Sequence, residues 1–199
     1  GLCTLAGCGD PGDTYSSQSA RIYVDGQGGG WDSLSVGHVD TGDGEDGIGL
    51  DRLWVAHTDE HLFLRLQLSR AVNLQEGNDL TLAVDADNDS TTGRDTLGLG
   101  AELSWTFGER AGRFRGTEIT HADFGFASLP TVRSTVFEVA LDRSATPNDS
   151  AALFPGDRVR LAVAGDGDRV PDGKGGVGYE FSDADVGLEA PALTRPDSA

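Results

Sequence analysis

The chain has 199 residues, with 33 Asp and Glu against 15 Lys and Arg, which gives a formal net charge of -18 and a pI of about 4.3. A surface of that sign repels phosphate and no long basic run offsets it, so nucleic-acid binding is excluded as a class. Residues of hydrophobic type make up 37 % and include no run of eighteen, so no membrane-spanning helix is encoded, while the core of one domain is within reach.

Both cysteines lie in the first eight residues. Leu5-Ala6-Gly7-Cys8 resembles the bacterial lipobox: small residues precede a Cys that is acylated after cleavage, and the polar stretch 9–13 then suits a tether. On this reading residues 1–7 are a residual lipoprotein signal segment and 8–20 comprise acylated Cys8 and a flexible tether. The chain then belongs in the bacterial cell envelope, outside the cytoplasm, touching the membrane only through its lipid. The alternative for the cysteines is a Cys3–Cys8 disulfide. Methionine is absent, so a trimmed precursor or a fragment is expected. The acidity suits a halophile, because molar salt shortens the Debye length to about 3 Å and quiets the repulsion; an ordinary acidic secreted protein fits as well.

Beyond residue 20 short alternating runs are broken by Gly and Asp. Strands are expected at 20–24, 51–57, 61–69, 79–85, 100–107, 113–120, 134–141, 157–164 and 178–182, with one short helical turn at 150–154. Between Leu62 and Leu68 the even positions are apolar throughout and the odd ones turn polar after Phe63, the period of a strand with one buried face. About nine strands joined by turn clusters define an all-β fold, a β-sandwich or jelly roll of one domain over 21–190, followed by a C-terminal tail at 191–199.

The segment from Asp85 to Asp95 reads DADNDSTTGRD. In an extended strand carboxylates two residues apart stand about 7 Å from one another along one face, too far to share an ion whose oxygens lie about 2.4 Å away. The chain therefore has to curl, and the crowded negative charge then calls for a hard cation; all-oxygen ligation points to calcium. Asp85, Asp87 and Asp89 are the expected primary ligands and Asp95 and Glu102 the supplementary ones, with Thr92-Gly93 closing the loop. It is not an EF-hand, since Ser90 stands where that loop needs Gly. The competing reading is a solvated acidic turn. Acidic loops at 40–46 and 166–172 are looser sites for further cations, and Arg110, Arg113 and Arg115 read as a solvated hairpin end rather than an anion site.

An ordered series of motifs carries a family resemblance. Asp25-Gly26 is followed by Trp31-Asp32, by the run from Leu53 to Leu64, and by the Asp85-x-Asp-x-Asp-x-x-Thr-Gly loop leading to Gly100-Ala101-Glu102-Leu103. Over roughly 21–185 this resembles the family 9 carbohydrate-binding modules and their envelope relatives. The resemblance implies a jelly-roll sandwich with a structural calcium and a sugar slot built from aromatic side chains. Trp31, Trp54, Trp105, Tyr23 and Tyr179 are the aromatic candidates for that slot, of which Trp54, Trp105 and Tyr179 are assigned to it, with polysaccharide or oligosaccharide as the partner; oligomeric state is left open. The function expected is a non-catalytic, envelope-bound carbohydrate-binding module. Its alternative is a purely structural or accessory sandwich without a small ligand, associated with a separately encoded hydrolase.

Enzymatic motifs fare poorly. His57-Thr58-Asp59-Glu60-His61 matches the H-x-x-E-H pattern of inverted zinc peptidases, but here it joins two strand-patterned runs instead of lying on a helix. No nucleophile elbow or P-loop occurs, and no enzyme activity is expected.

Overall fold

The alternation between Leu62 and Leu68 sorts side chains to two sides. Leu62, Leu64, Leu66 and Leu68 enter the main interior, whereas Phe63 joins a second cluster on the opposite face. The same sorting operates along residues 53–56, where Leu53 and Val55 point inward and Trp54 and Ala56 outward. Each such buried Leu contributes about 2 kcal/mol through removal of apolar area from water, and this decides which face of each strand turns inward.

The computed structural model describes residues 14–39, 47–172 and 175–182. Among them fifteen strands are present, more than the nine expected, in an all-β sandwich. The first eight are β1 (Thr14–Tyr15), β2 (His38–Val39), β3 (Leu50–His57), β4 (His61–Val72), β5 (Thr81–Asp85), β6 (Arg94–Thr96), β7 (Leu99–Ala101) and β8 (Leu103–Thr106). The others are β9 (Ala111–Phe114), β10 (Thr117–Ile119), β11 (Ala127–Leu129), β12 (Ser134–Asp142), β13 (Arg158–Gly165), β14 (Asp168–Val170) and β15 (Val177–Glu180).

One sheet runs β1-β15-β13-β5-β8-β9-β10, with β14 paired to β13, and the other runs β11-β12-β4-β3-β2. Their inner faces share one interior, to which β5, β8 and β13 bring Leu82, Val84, Leu103 and Leu161, and β12 brings Phe137 and Val139. The two outer faces are also covered. Ile22 and Trp31 lie over Trp54, Phe63 and Ala140 on one side. On the other, the β6-β7 hairpin sets Leu99 and Ala101 against Ala83 and Ala162, whose small side chains let it approach closely.

Several expectations about individual segments are corrected. Residues 20–24 are not a strand, because Ile22 packs across the outer face instead of extending a ladder. The run 113–120 is a hairpin: Arg115 (φ 48°) and Gly116 (φ 84°) turn the chain between β9 and β10. The run 100–107 is divided at Glu102 into β7 and β8. No helical turn forms at 150–154; a 3-10 turn occupies Pro147–Asp149 instead.

The end of the expected tether is docked as well. Thr14 and Tyr15 pair in parallel with Gly178 and Tyr179, and Ser19 bridges His57. The Gln18 side chain donates to Ser35 O and Val55 O at 3.0 Å each, so it reaches the second sheet. Cys8, the rest of the signal segment, the acidic loop 40–46 and the tail 191–199 lie outside the described residues.

Candidate metal centre

Period two along β5 puts Asp85 on the same outer face as Ala83, and there the β6-β7 hairpin covers it. The chain then curls through residues 86–93, with Asn88 in the left-handed region at φ 55°, and returns through β6 and β7 to Glu102. Two glycines make the closure possible. A Cβ on Gly93 (φ 67°) would stand 2.6 Å from Gly100 O and 2.7 Å from Glu102 Oε1, and one on Gly100 would stand 2.5 Å from Thr92 O.

The result brings carboxylate oxygens of Asp85, Asp87 and Glu102 within 4.8 Å of one another. Asp85 is 0 % exposed and Glu102 is buried, while Asp87 is half-buried. Asp85 Oδ1 accepts the Asp89 N–H at 3.0 Å, whereas its Oδ2 is fully enclosed and accepts no hydrogen bond. Glu102 Oε2 accepts the Ala86 N–H at 2.9 Å. The Thr92 hydroxyl lies 3.0 Å from Glu102 Oε1 and 3.0 Å from Asp87 Oδ1, so it ties the two sides of the loop together. Burial, then the negative charges of Glu102 and Asp87, outweigh the Asp89 N–H bond and push the Asp85 carboxyl up to about 6.

An enclosed carboxylate oxygen without a donor, next to two further carboxylates, is costly unless a proton or a cation neutralises it. The trio therefore has the donor chemistry of a hard-metal site, and Asp85, Asp87 and Glu102 would hold the ion. Of the expected ligands, the structure brings Asp85, Asp87 and Glu102 together. Asp89 stands apart: it is exposed, and its Oδ1 accepts the Thr91 N–H (2.9 Å) and hydroxyl (2.6 Å), the hydroxyl first among the bonds that hold its carboxyl below the usual range. Asp95 is exposed on β6, opposite Gly100, and is likewise outside the trio. Thr92 is the member that sequence reasoning gave only a closing role; a hydroxyl bears no charge to mark it.

The loop 166–172 has a different structure from the first. Asp166 (φ 51°) and Gly167 form the β13-β14 turn, and Asp168 Oδ2 accepts the Leu50 N–H at 2.6 Å. His57 and His61 sit at the facing ends of β3 and β4, a hairpin geometry that a helical zinc motif cannot adopt.

The aromatic slot does not form where it was expected. Trp54 is buried under the Arg65 guanidinium, 4.8 Å from its ring centroid. Trp105 is 1 % exposed among Phe124 and Phe126, and its Nε1 has no partner. Tyr179 is buried with its hydroxyl 2.7 Å from His57 Nδ1 and 3.0 Å from the Gln18 N–H, and burial pushes its phenol up to about 12. None of the three offers a face on which a sugar can stack, because each strand position alternates into an interior or lies under a covering segment; Trp31 is buried too, and of the five candidates only Tyr23 is exposed.

Sequence reasoning also missed Glu138. It is buried on β12, where its Oε1 accepts the Trp31 indole N–H (2.8 Å) and its Oε2 accepts the Asp25 (3.1 Å) and Gly26 (2.6 Å) N–H groups. Polar position in an alternating strand was the available signal, but nothing in the local sequence names its distant partners.

No family model matches the chain, and a search of curated proteins finds no match.

Proposed function

We propose that this chain is a non-catalytic, calcium-stabilised binding module of the bacterial cell envelope, anchored through acylated Cys8 and recognising carbohydrate. The observation that carries the calcium is Asp85 Oδ2, enclosed and without a donor beside Asp87 and Glu102. Oxygen-only ligation and the room for several ligands favour calcium over zinc or copper. An ion that binds only the folded chain stabilises it by mass action, about 2.7 kcal/mol at a hundred times its Kd. Thermal melts with calcium and with EGTA test this: a melting temperature unmoved by chelation refutes a folding-linked site.

Carbohydrate recognition and envelope location rest on the motif series and the lipobox-like segment. A second reading, a structural or accessory sandwich without a small ligand, is favoured by the burial of Trp31, Trp54 and Trp105. A glycan array probed with the full chain in calcium separates the two. Binding to defined glycans supports the module, and a blank array supports the structural or accessory sandwich.

A further inference from the structure

The trio leaves calcium's coordination incomplete. Calcium takes roughly six to eight oxygens, and three carboxylates, each giving one, leave about three to five places to fill. Asp89 is turned onto Thr91 and Asp95 lies out on β6, so neither closes the shell. With Asp85 and Glu102 buried, the open side is that of half-buried Asp87.

That side is a cavity of about 400 Å³, whose lining includes Asp87, Thr92 and Glu102 together with Arg94 and Arg115. Arg115 belongs to the β9-β10 turn, whose place is fixed by its own N–H donating to Glu102 O at 2.8 Å. Its guanidinium lies over the Phe114 ring at 5.6 Å. Among the described residues neither Arg94 nor Arg115 forms an ion pair, although the chain carries more than two acidic groups for every basic one. Both arginines are exposed, and they give the rim of the cavity two planar sets of donors for an incoming anion. The charges agree: three carboxylates and a divalent ion leave one negative charge, two arginines exceed it by one, and a monoanion brings the cavity to neutrality.

We propose that this cavity binds the carboxylate of a uronosyl residue, which completes the calcium shell while Arg94 and Arg115 hold its oxygens. This rests on the calcium site and on carbohydrate as partner, and it names the class of sugar: an acidic one, held by metal and guanidinium instead of by aromatic stacking. A carboxylate suits a bidentate guanidinium, and the neighbouring ring hydroxyls of a sugar supply further oxygens to a hard cation.

Isothermal titration of the full chain with a galacturonic acid trimer tests it, in calcium and in EGTA, beside a neutral galactose trimer and inorganic phosphate. The expected result is binding of the uronate in calcium alone, with the neutral trimer and phosphate at least tenfold weaker. Arg94→Gln and Arg115→Gln should each weaken the uronate tenfold or more while calcium alone still binds at least as tightly as to the wild type, which also shows that the variants fold. Equal binding of acidic and neutral trimers, binding that survives EGTA, phosphate binding as tight as the uronate, or variants with wild-type uronate affinity would each overturn the proposal. Calcium binding without uronate binding refutes this inference and spares the metal site; no calcium binding refutes both.

Discussion

Replacing Asp85 by Asn changes one buried oxygen for an amide and separates the two ways in which that position is neutralised. Without metal, an ionised Asp85 opposes folding at pH 7.5, because its carboxyl is pushed from 3.8 to about 6. Two pH units at about 1.4 kcal/mol each set the cost at about 3 kcal/mol. The introduced side-chain amide escapes that cost and can donate to Asp87 or Glu102, whose oxygens lie within 4.8 Å. Asp85→Asn should therefore raise the stability of the chelated protein by about 1–3 kcal/mol while erasing the gain from calcium, about 2.7 kcal/mol at a hundredfold excess over Kd. For a domain of this size 1 kcal/mol moves Tm by about 2–4 °C. In EGTA the variant should melt about 2–12 °C above the wild type, and on adding calcium only the wild type should rise, by about 5–11 °C. Differential scanning calorimetry at pH 7.5 reads both. A variant less stable than wild type in EGTA, or one that keeps the full calcium shift, refutes the reasoning.

The pH dependence has a definite sign. In the chelated protein the native state holds a proton on Asp85 that the unfolded chain has released, so this contribution to stability is present below about pH 4 and is lost as pH rises through about 6. Denaturant melts of wild type minus Asp85→Asn should show that fall, and a difference flat across this window contradicts it. Gly93→Ala forces an L residue to φ 67° and drives its Cβ into Gly100 O and Glu102 Oε1, so it should cost about 1–3 kcal/mol and weaken calcium at least tenfold by titration. Glu138→Gln leaves an NH2 group against either the Trp31 indole or the Asp25 and Gly26 amides; a loss of about 2–4 kcal/mol with red-shifted Trp emission is expected, and an unchanged calcium titration.

Much of the sandwich is legible in residues 53–68 because burial there is periodic: Leu53, Val55, Leu62, Leu64 and Leu66 all reach the interior that the alternation assigns them. The curl after Asp85 is legible for another reason, since its charges cannot be accommodated in an extended strand. Membership of the trio was harder to read. Asp89 and Glu102 differ in nothing local that tells which will turn inward; the decision is made by the β6-β7 hairpin, which brings Glu102 back over Asp85 and leaves Asp89 to cap Thr91. The aromatics failed for a related reason. A Trp in a strand signals a packed face, but whether that face meets a sugar or a covering segment such as residues 20–34 depends on chain far away in sequence. The docking of Thr14 and Tyr15 was hidden because two residues are too few to show a period.

The parallel seam between Thr14–Tyr15 and Gly178–Tyr179 gives the domain a mechanical character. A load applied at Thr14 is borne along the strand, so the bonds of the seam and the Gln18 brackets to both sheets resist together in shear rather than opening one at a time.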